Sequence, residues 1–187
     1  MNSLIDHLLL YGDLNPQQIE LIRGYARPLR LAAGEYFSEA GRTANRVGYL
    51  TEGIFRVCYY NKEGREVTRY FISEGEFVAD LNSYVNRLPA TEYIEAVTDA
   101  KLLVFPRRAM QELSATVIVW DGIIEKITTR ALMAKVNKIS PMLAEDAATR
   151  YARFLEEFPG LANRIPLSLL ASYIGITPSS LSRIRRN

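Results

Sequence analysis

The chain has 187 residues, 48% hydrophobic and 24% charged, with a net charge of +2, enough for one domain or a pair of small ones with a real core. A single cysteine, Cys58, excludes an internal disulfide and any multi-cysteine zinc or iron–sulfur site within one chain. No apolar run is long enough to span a membrane, and the opening MNSLIDHLLLYGD has no basic stretch ahead of an apolar one, so a cytoplasmic setting is expected.

In chain order, the first zone reads as helix. Asn15 followed by Pro16 supplies a cap and a first helical position, and Ile19, Ile22 and Ala26 recur at helical spacing. His7, the one histidine, lies in a leucine-rich stretch and reads as a surface or helix-flank residue. From about residue 29 to 106 the pattern changes to short strands, at 29–31, 35–38, 46–51, 54–60, 66–73, 76–78, 93–97 and 101–105. Gly34, Gly41, Gly53, Gly64 and Gly75 mark turns, and Asn61-Lys62-Glu63-Gly64 between two aromatic, β-branched runs is a hairpin signal. Eight short strands at this spacing argue a sandwich, barrel or jelly roll.

Helix returns from about 107 to 138. Val117, Trp120, Ile124, Ile127, Ala131 and Ala134 follow three–four spacing, the seam of a two-helix packing, and are expected to form a self-association interface. Ile123, Leu132, Met133 and Val136 lie off that seam and widen the apolar surface toward the β-region and a partner subunit. Ser140-Pro141 is expected to end the helix. Another helix through Ala144, Ala148, Tyr151 and Leu155 follows, then a loop at Pro159-Gly160.

The last segment, 167–187 (LSLLASYIGITPSSLSRIRRN), reads as two short helices joined by a tight turn. Ala171 lets the helices approach, Gly175 accepts a positive φ, and Leu181 and Ile184 pack the second helix on the first. Thr177 can cap that second helix, and Pro178 suits its first turn. Ser179, Ser180, Ser182, Arg183, Arg185 and Arg186 are left to the exposed surface, where such groups bond phosphate oxygens or base edges. A plain surface helical hairpin is the alternative. The charge distribution favours a polyanion partner: residues 1–125 carry 13 Lys/Arg against 17 Asp/Glu (net −4), while 126–187 carry 10 against 4 (net +6).

No enzyme constellation emerges: there is no phosphate loop in a strand-to-helix context, no nucleophile elbow and no histidine placed for a triad. The expected class is α+β, in three parts: a sensor-like double-stranded β-helix or jelly roll over 1–115, a long dimerisation helix over 116–139, and a helix-turn-helix domain over 140–187.

The order helix, β-roll, long helix, helix-turn-helix, with Gly75-Glu76-Phe77-Val78-Ala79-Asp80-Leu81 inside the roll, resembles the Crp/Fnr family of transcription regulators. ASYIGITPSSLSRIRR resembles its short, Bacteroidetes-type branch. The resemblance implies a cyclic-nucleotide-binding-like roll, a homodimer through the long helix, double-stranded DNA as a partner read by the last helix, and RNA polymerase as a further partner. In that family's cyclic-nucleotide binders a Glu accepts from the ribose and an Arg neutralises the phosphate. The matching positions here are Ala79, Asp80 and Leu81, then Ala90 and Thr91, with Arg87 three residues earlier. An alanine at the phosphate-facing position leaves a buried anion uncompensated, so cyclic AMP is not the expected effector. The roll is expected to sense another small molecule or to act without a ligand.

Other family cofactors fit no better. One cysteine cannot hold an iron–sulfur cluster, and haem would depend on His7 or on Cys58, which sits in an apolar strand and reads as core. On the DNA side, the resemblance places Ser179 and Arg183 at base edges and Ser180 and Ser182 at phosphates. Arg185 and Arg186 add charge, and Thr177 caps the reading helix. Relatives usually continue into a β-wing or a further helix, whereas this chain ends at Asn187, so wing contacts are not expected. The functional expectation is a homodimeric transcription regulator. Its alternative is a ligand-binding or protein-interaction module with a degenerate DNA-binding end.

Overall fold

The computed structural model describes residues 1–186, with side chains described throughout except at 138–143. Helices α1 (Asn2–Leu9) and α2 (Pro16–Tyr25) lead in. α2 begins where Asn15 and Pro16 predict, and Asn15 and Gln18 exchange backbone-to-side-chain bonds of 2.9 Å, which satisfies two otherwise orphaned N–H groups. His7 is half-buried on α1, with Nδ1 2.8 Å from the Gly75 carbonyl and its ring stacked on Tyr11, which ties α1 to the roll.

The roll has eight strands: β1 (Arg27–Leu31), β2 (Tyr36–Ser38), β3 (Arg46–Glu52), β4 (Phe55–Tyr60), β5 (Glu66–Ile72), β6 (Phe77–Val78), β7 (Tyr93–Ala96) and β8 (Ala100–Pro106). Each falls within two residues of its expected bounds. They form two antiparallel four-stranded sheets, ordered β1-β8-β3-β6 and β2-β7-β4-β5. Between the sheets lie Phe37, Leu50, Phe55, Val57, Ile72, Ile94 and Leu102, the inward set of the alternating strands. In the β4–β5 hairpin the Asn61 side chain accepts from the Glu63 and Arg65 N–H groups, while Gly64 takes a positive φ.

A short helix α3 (Leu81–Asn86) follows β6, and α4 (Arg107–Thr116) and α5 (Trp120–Ala144) follow β8. Two expectations need correction here. α5 does not end at Ser140-Pro141 but runs to Ala144, since a proline withdraws one N–H from the helical ladder without having to stop it. The proposed seam is also divided. Val117, Trp120 and Ile127 are buried within the protomer, in a core shared with Leu4, Leu8 and Ile22 of α1 and α2, and Ile124 packs against that core. Ala131 and Ala134 are exposed. Helical periodicity marks the apolar face, and the amino-terminal helices cover its first half.

The C-terminal unit comprises α6 (Ala147–Glu157), a 3-10 turn at Leu161–Asn163, α7 (Leu167–Ile174) and α8 (Pro178–Ile184). Asp146 caps α6 by accepting from the Thr149 N–H. Phe154, Leu161, Leu170, Ala171, Ile174 and Leu181 build its core, and Ile54 and Phe71 of the roll join the same cluster.

Gly53, in the β3–β4 turn, has φ +104°, and a Cβ there would lie 2.5 Å from the Asp99 carbonyl oxygen. Replacing it adds both backbone strain and a backbone clash. Gly53→Ala is expected to cost about 3 kcal/mol, measured as a lower denaturant midpoint at unchanged slope.

Candidate functional site

The helix-turn-helix expectation rests on short-range signals, and each finds its place. Gly175 closes α7 at φ +81°, and its N–H bonds the Ala171 carbonyl at 2.9 Å. Thr177 caps α8 by accepting from the Ser180 N–H at 3.2 Å, with Pro178 at the first helical position. Ala171 and Leu181 are fully buried at the crossing, and Ile184 is half-buried. Ser179, Arg183, Arg185 and Arg186 are exposed, and Ser180 and Ser182 are half-buried. The Thr177 hydroxyl lies 3.0 Å from the Ser179 hydroxyl and 2.9 Å from that of Ser180. These three hydroxyls therefore form a network at the start of α8, while the arginines stand clear of it.

A cavity of about 260 Å³ opens between the roll, α5 and α7. Val57, Tyr70 and Ile94 line it from the second sheet, and Ala79, Asp80 and Leu81 from the start of α3. Leu132 and Lys135 of α5 and Tyr173 of α7 complete it on the helical side. Of the six residues expected at an effector site, Ala79, Asp80 and Leu81 therefore reach the cavity. Arg87, Ala90 and Thr91 do not line it. Arg87 adopts φ 57° as it ends α3, and the chain then turns away. Ala90 is buried, its N–H bonded to the Arg42 carbonyl and its own carbonyl accepting from the Gly41 N–H, while Thr91 is exposed. Asp80 has a structural task as well: its carboxylate accepts from the Ser83 N–H at 2.9 Å and caps α3.

The polar groups of the cavity that escaped the sequence reading are Arg69, Tyr70, Asn82, Glu92, Lys135 and Tyr173. Arg69 is ion-paired with Glu92. Lys135 lies 2.9 Å from the Tyr70 hydroxyl, with Nζ 4.1 Å from the centre of the Tyr70 ring. Burial lowers the Lys135 pKa and raises that of Tyr70, and it pushes the Tyr173 phenol up to about 12. A signal for Lys135 was available in its spacing, since it follows Leu132 by three residues, and the two share the cavity side of α5.

The C-terminal unit is docked on the roll beside this cavity. The backbone N–H of Thr68, on edge strand β5, donates to the Ser172 hydroxyl at 2.9 Å. Phe71, Phe154 and Tyr173 form an aromatic triangle with ring centres 5.5–6.0 Å apart. Arg164 donates to both oxygens of Glu74, at 3.1 and 2.5 Å, while Glu74 also accepts from the Gly53 N–H at 2.9 Å.

Cys58 is buried, its thiol pushed up to about 11 chiefly by that burial, in keeping with a small core residue. Its sulfur and the carboxylates of Glu66 and Glu95 come within 4.8 Å of one another. The Arg56 guanidinium is ion-paired with both carboxylates, so a cation there would have to displace an arginine. Neither Cys58 nor His7 lines the cavity.

Residues 28–117 match the family model of the cyclic nucleotide-binding domain. No curated protein matches the sequence. Among solved structures, a protein from Eubacterium rectale assigned to the Crp/Fnr family of transcriptional regulators superposes with a TM-score of 0.73 at 18% identity, covering 97% of this chain and 86% of that one. The c-di-GMP-responsive global regulator CLP of Xanthomonas campestris gives 0.71 at 17% identity, over 92% and 90% of the two chains. FixK2 of Bradyrhizobium japonicum gives 0.73 at 16%, over 86% and 83%. The roll is thus similar to a cyclic nucleotide-binding domain. From the amino-terminal helices to α8, the chain shares the fold of these three proteins.

Glu74 is held at about 2, chiefly by the hydrogen bond from Arg164. A carboxylate depressed in the folded state adds stability above its ordinary value of 4.5, and that contribution fades as the pH falls toward about 2. The denaturant midpoint of the native protein should therefore exceed that of Glu74→Gln by a constant amount above about pH 5. The gap should close as the pH is lowered toward 2, and a gap independent of pH would show that the ion pair does not hold the C-terminal unit.

Proposed function

We propose that the protein is a homodimeric, non-catalytic transcription regulator of Crp/Fnr type, in which the cavity receives a small effector and α8 reads DNA in the major groove. The observation that carries the reading is the placement of Tyr173. It belongs to the first helix of the helix-turn-helix, packs in the aromatic triangle that docks that unit, and walls the cavity. A ligand touching Tyr173 touches the output element directly, so occupancy and the position of α8 share one contact.

On this reading Arg183 pairs with a guanine edge and Ser179 makes the second base contact. Thr177, Ser180 and Ser182 serve the cap and neighbouring phosphates, and Arg185 and Arg186 neutralise backbone charge. The family fold and the basic C-terminal third support DNA as the partner. The dimer is assigned to the distal part of α5, where Leu132, Met133 and Val136 are 47%, 58% and 59% exposed and Ala131 and Ala134 are exposed beside them. Leu132 also lines the cavity, so the partner helix would lie against the effector site. A cytoplasmic location follows from this role, and among the described residues no helix is long and apolar enough to cross a membrane.

Two measurements test this reading. In selection from random duplexes followed by fluorescence anisotropy, Arg183→Ala is expected to cost about 1–3 kcal/mol and relax one base position, whereas Arg186→Ala weakens all sequences alike. An equal loss on every sequence for Arg183→Ala would remove its role as a base reader. In sedimentation velocity, Val136→Glu is expected to give a folded monomer where the native chain is a dimer. A native chain that stays monomeric at micromolar concentration would overturn the dimer.

A further inference from the structure

We infer that the cavity selects a small organic anion with an apolar, ring-bearing body, and that Lys135 of the long helix is the residue that recognises its charge. The inference rests on the cavity being the effector site proposed above, and it identifies the class of effector.

The wall carries four charged side chains, and three are already engaged. Arg69 is ion-paired with Glu92, and Asp80 caps α3 through the Ser83 N–H. Lys135 is the exception. Its ammonium makes one hydrogen bond, to the neutral Tyr70 hydroxyl, and rests on the face of the same ring. Among the described residues no carboxylate lies within ion-pair distance of it. An ammonium has three donors, and two find no acceptor among the described residues, in a setting where burial already disfavours the charge. The Glu76 and Glu92 carboxylates act on it only from beyond ion-pair distance, and Glu92 is taken by Arg69. An anion in the cavity supplies a counter-charge in direct contact, and a compact ammonium meets it as a point charge without needing a planar fork.

The remaining lining defines the body of the ligand. Val57, Ile94 and Leu132 are aliphatic, while Tyr70 and Tyr173 bring aromatic rings. A volume of about 260 Å³ lies below the usual range for drug-sized ligands, so one or two rings fill it. Carboxylate and phosphate share the chemistry that Lys135 recognises, and the probes below separate them.

The test uses the full chain, with Leu132 methyls and the Tyr173 ring isotopically labelled for NMR. It is titrated with benzoate, phenylacetate and indole-3-acetate, with the neutral amide of each, and with cyclic AMP. At least one carboxylate is expected to bind roughly ten-fold tighter than its amide, shifting both labelled residues, with cyclic AMP weaker than that carboxylate. Lys135→Met should abolish the preference for the anion while the amide affinity is kept, and Lys135→Arg should retain most of it. Unchanged amide binding in Lys135→Met also shows that the variant is folded. If amides and carboxylates bind equally and shift both residues, the anion assignment is overturned and the effector cavity stands. If cyclic AMP binds tightest and Lys135→Met leaves it unaffected, the charge is held elsewhere and the assignment also falls. If no probe moves either residue, the assignment and the effector cavity fall together.

Discussion

The apolar contact between Phe71 of strand β5 and the Phe154–Tyr173 pair of the C-terminal unit is the constraint on which the rest of the molecule depends. It merges the core of the helix-turn-helix with the outer surface of the second sheet, so that Ile54, Phe71 and Leu181 belong to one buried cluster. Three aromatic rings removed from water supply several kcal/mol of non-directional attraction. The Thr68–Ser172 hydrogen bond and the Arg164–Glu74 pair add register, since both are directional and the ion pair is half in solvent. The unit is therefore held by burial and aligned by polar contacts.

This arrangement places the cavity between three elements with different attachments. The sheet residues Val57 and Ile94 belong to the rigid interior of the roll. Lys135 and Leu132 belong to the half of α5 that extends beyond the amino-terminal core, and Tyr173 belongs to the docked unit. A ligand that bridges them changes their relative free energies only through contacts that differ between arrangements. Under the proposed function, contacts to α5 and α7 are the ones to meet that condition, whereas contacts to the sheet add affinity alone.

Much of this was legible in the sequence because the signals are local. Strand alternation, glycines at positive φ and the Asn61–Gly64 turn located all eight strands. The Ala171, Gly175, Thr177 and Pro178 spacing placed α7 and α8. What escaped depends on which surface meets which. The periodicity of α5 marked Val117, Trp120 and Ile127 as apolar, yet only the folded chain shows α1 and α2 covering them. The loop after α3 was aligned as though it faced the cavity, but the left-handed Arg87 directs it to Arg42 and Gly41 instead. Lys135 carried no apolar signal, although it occupies an inward position of its helix.

The docked helix-turn-helix has one further effect, on the roll itself. β5 is the last strand of its sheet, and α7 lies against it, with Ser172 taking the Thr68 N–H. A bare sheet edge is a template for intermolecular strand pairing, and proteins ordinarily shield such edges. Here the shield is α7, so the contacts that dock the C-terminal unit also cover a sheet edge. Phe71, Thr68 and Glu74, which hold the C-terminal unit on the roll, thereby also guard the protein against self-aggregation through this strand.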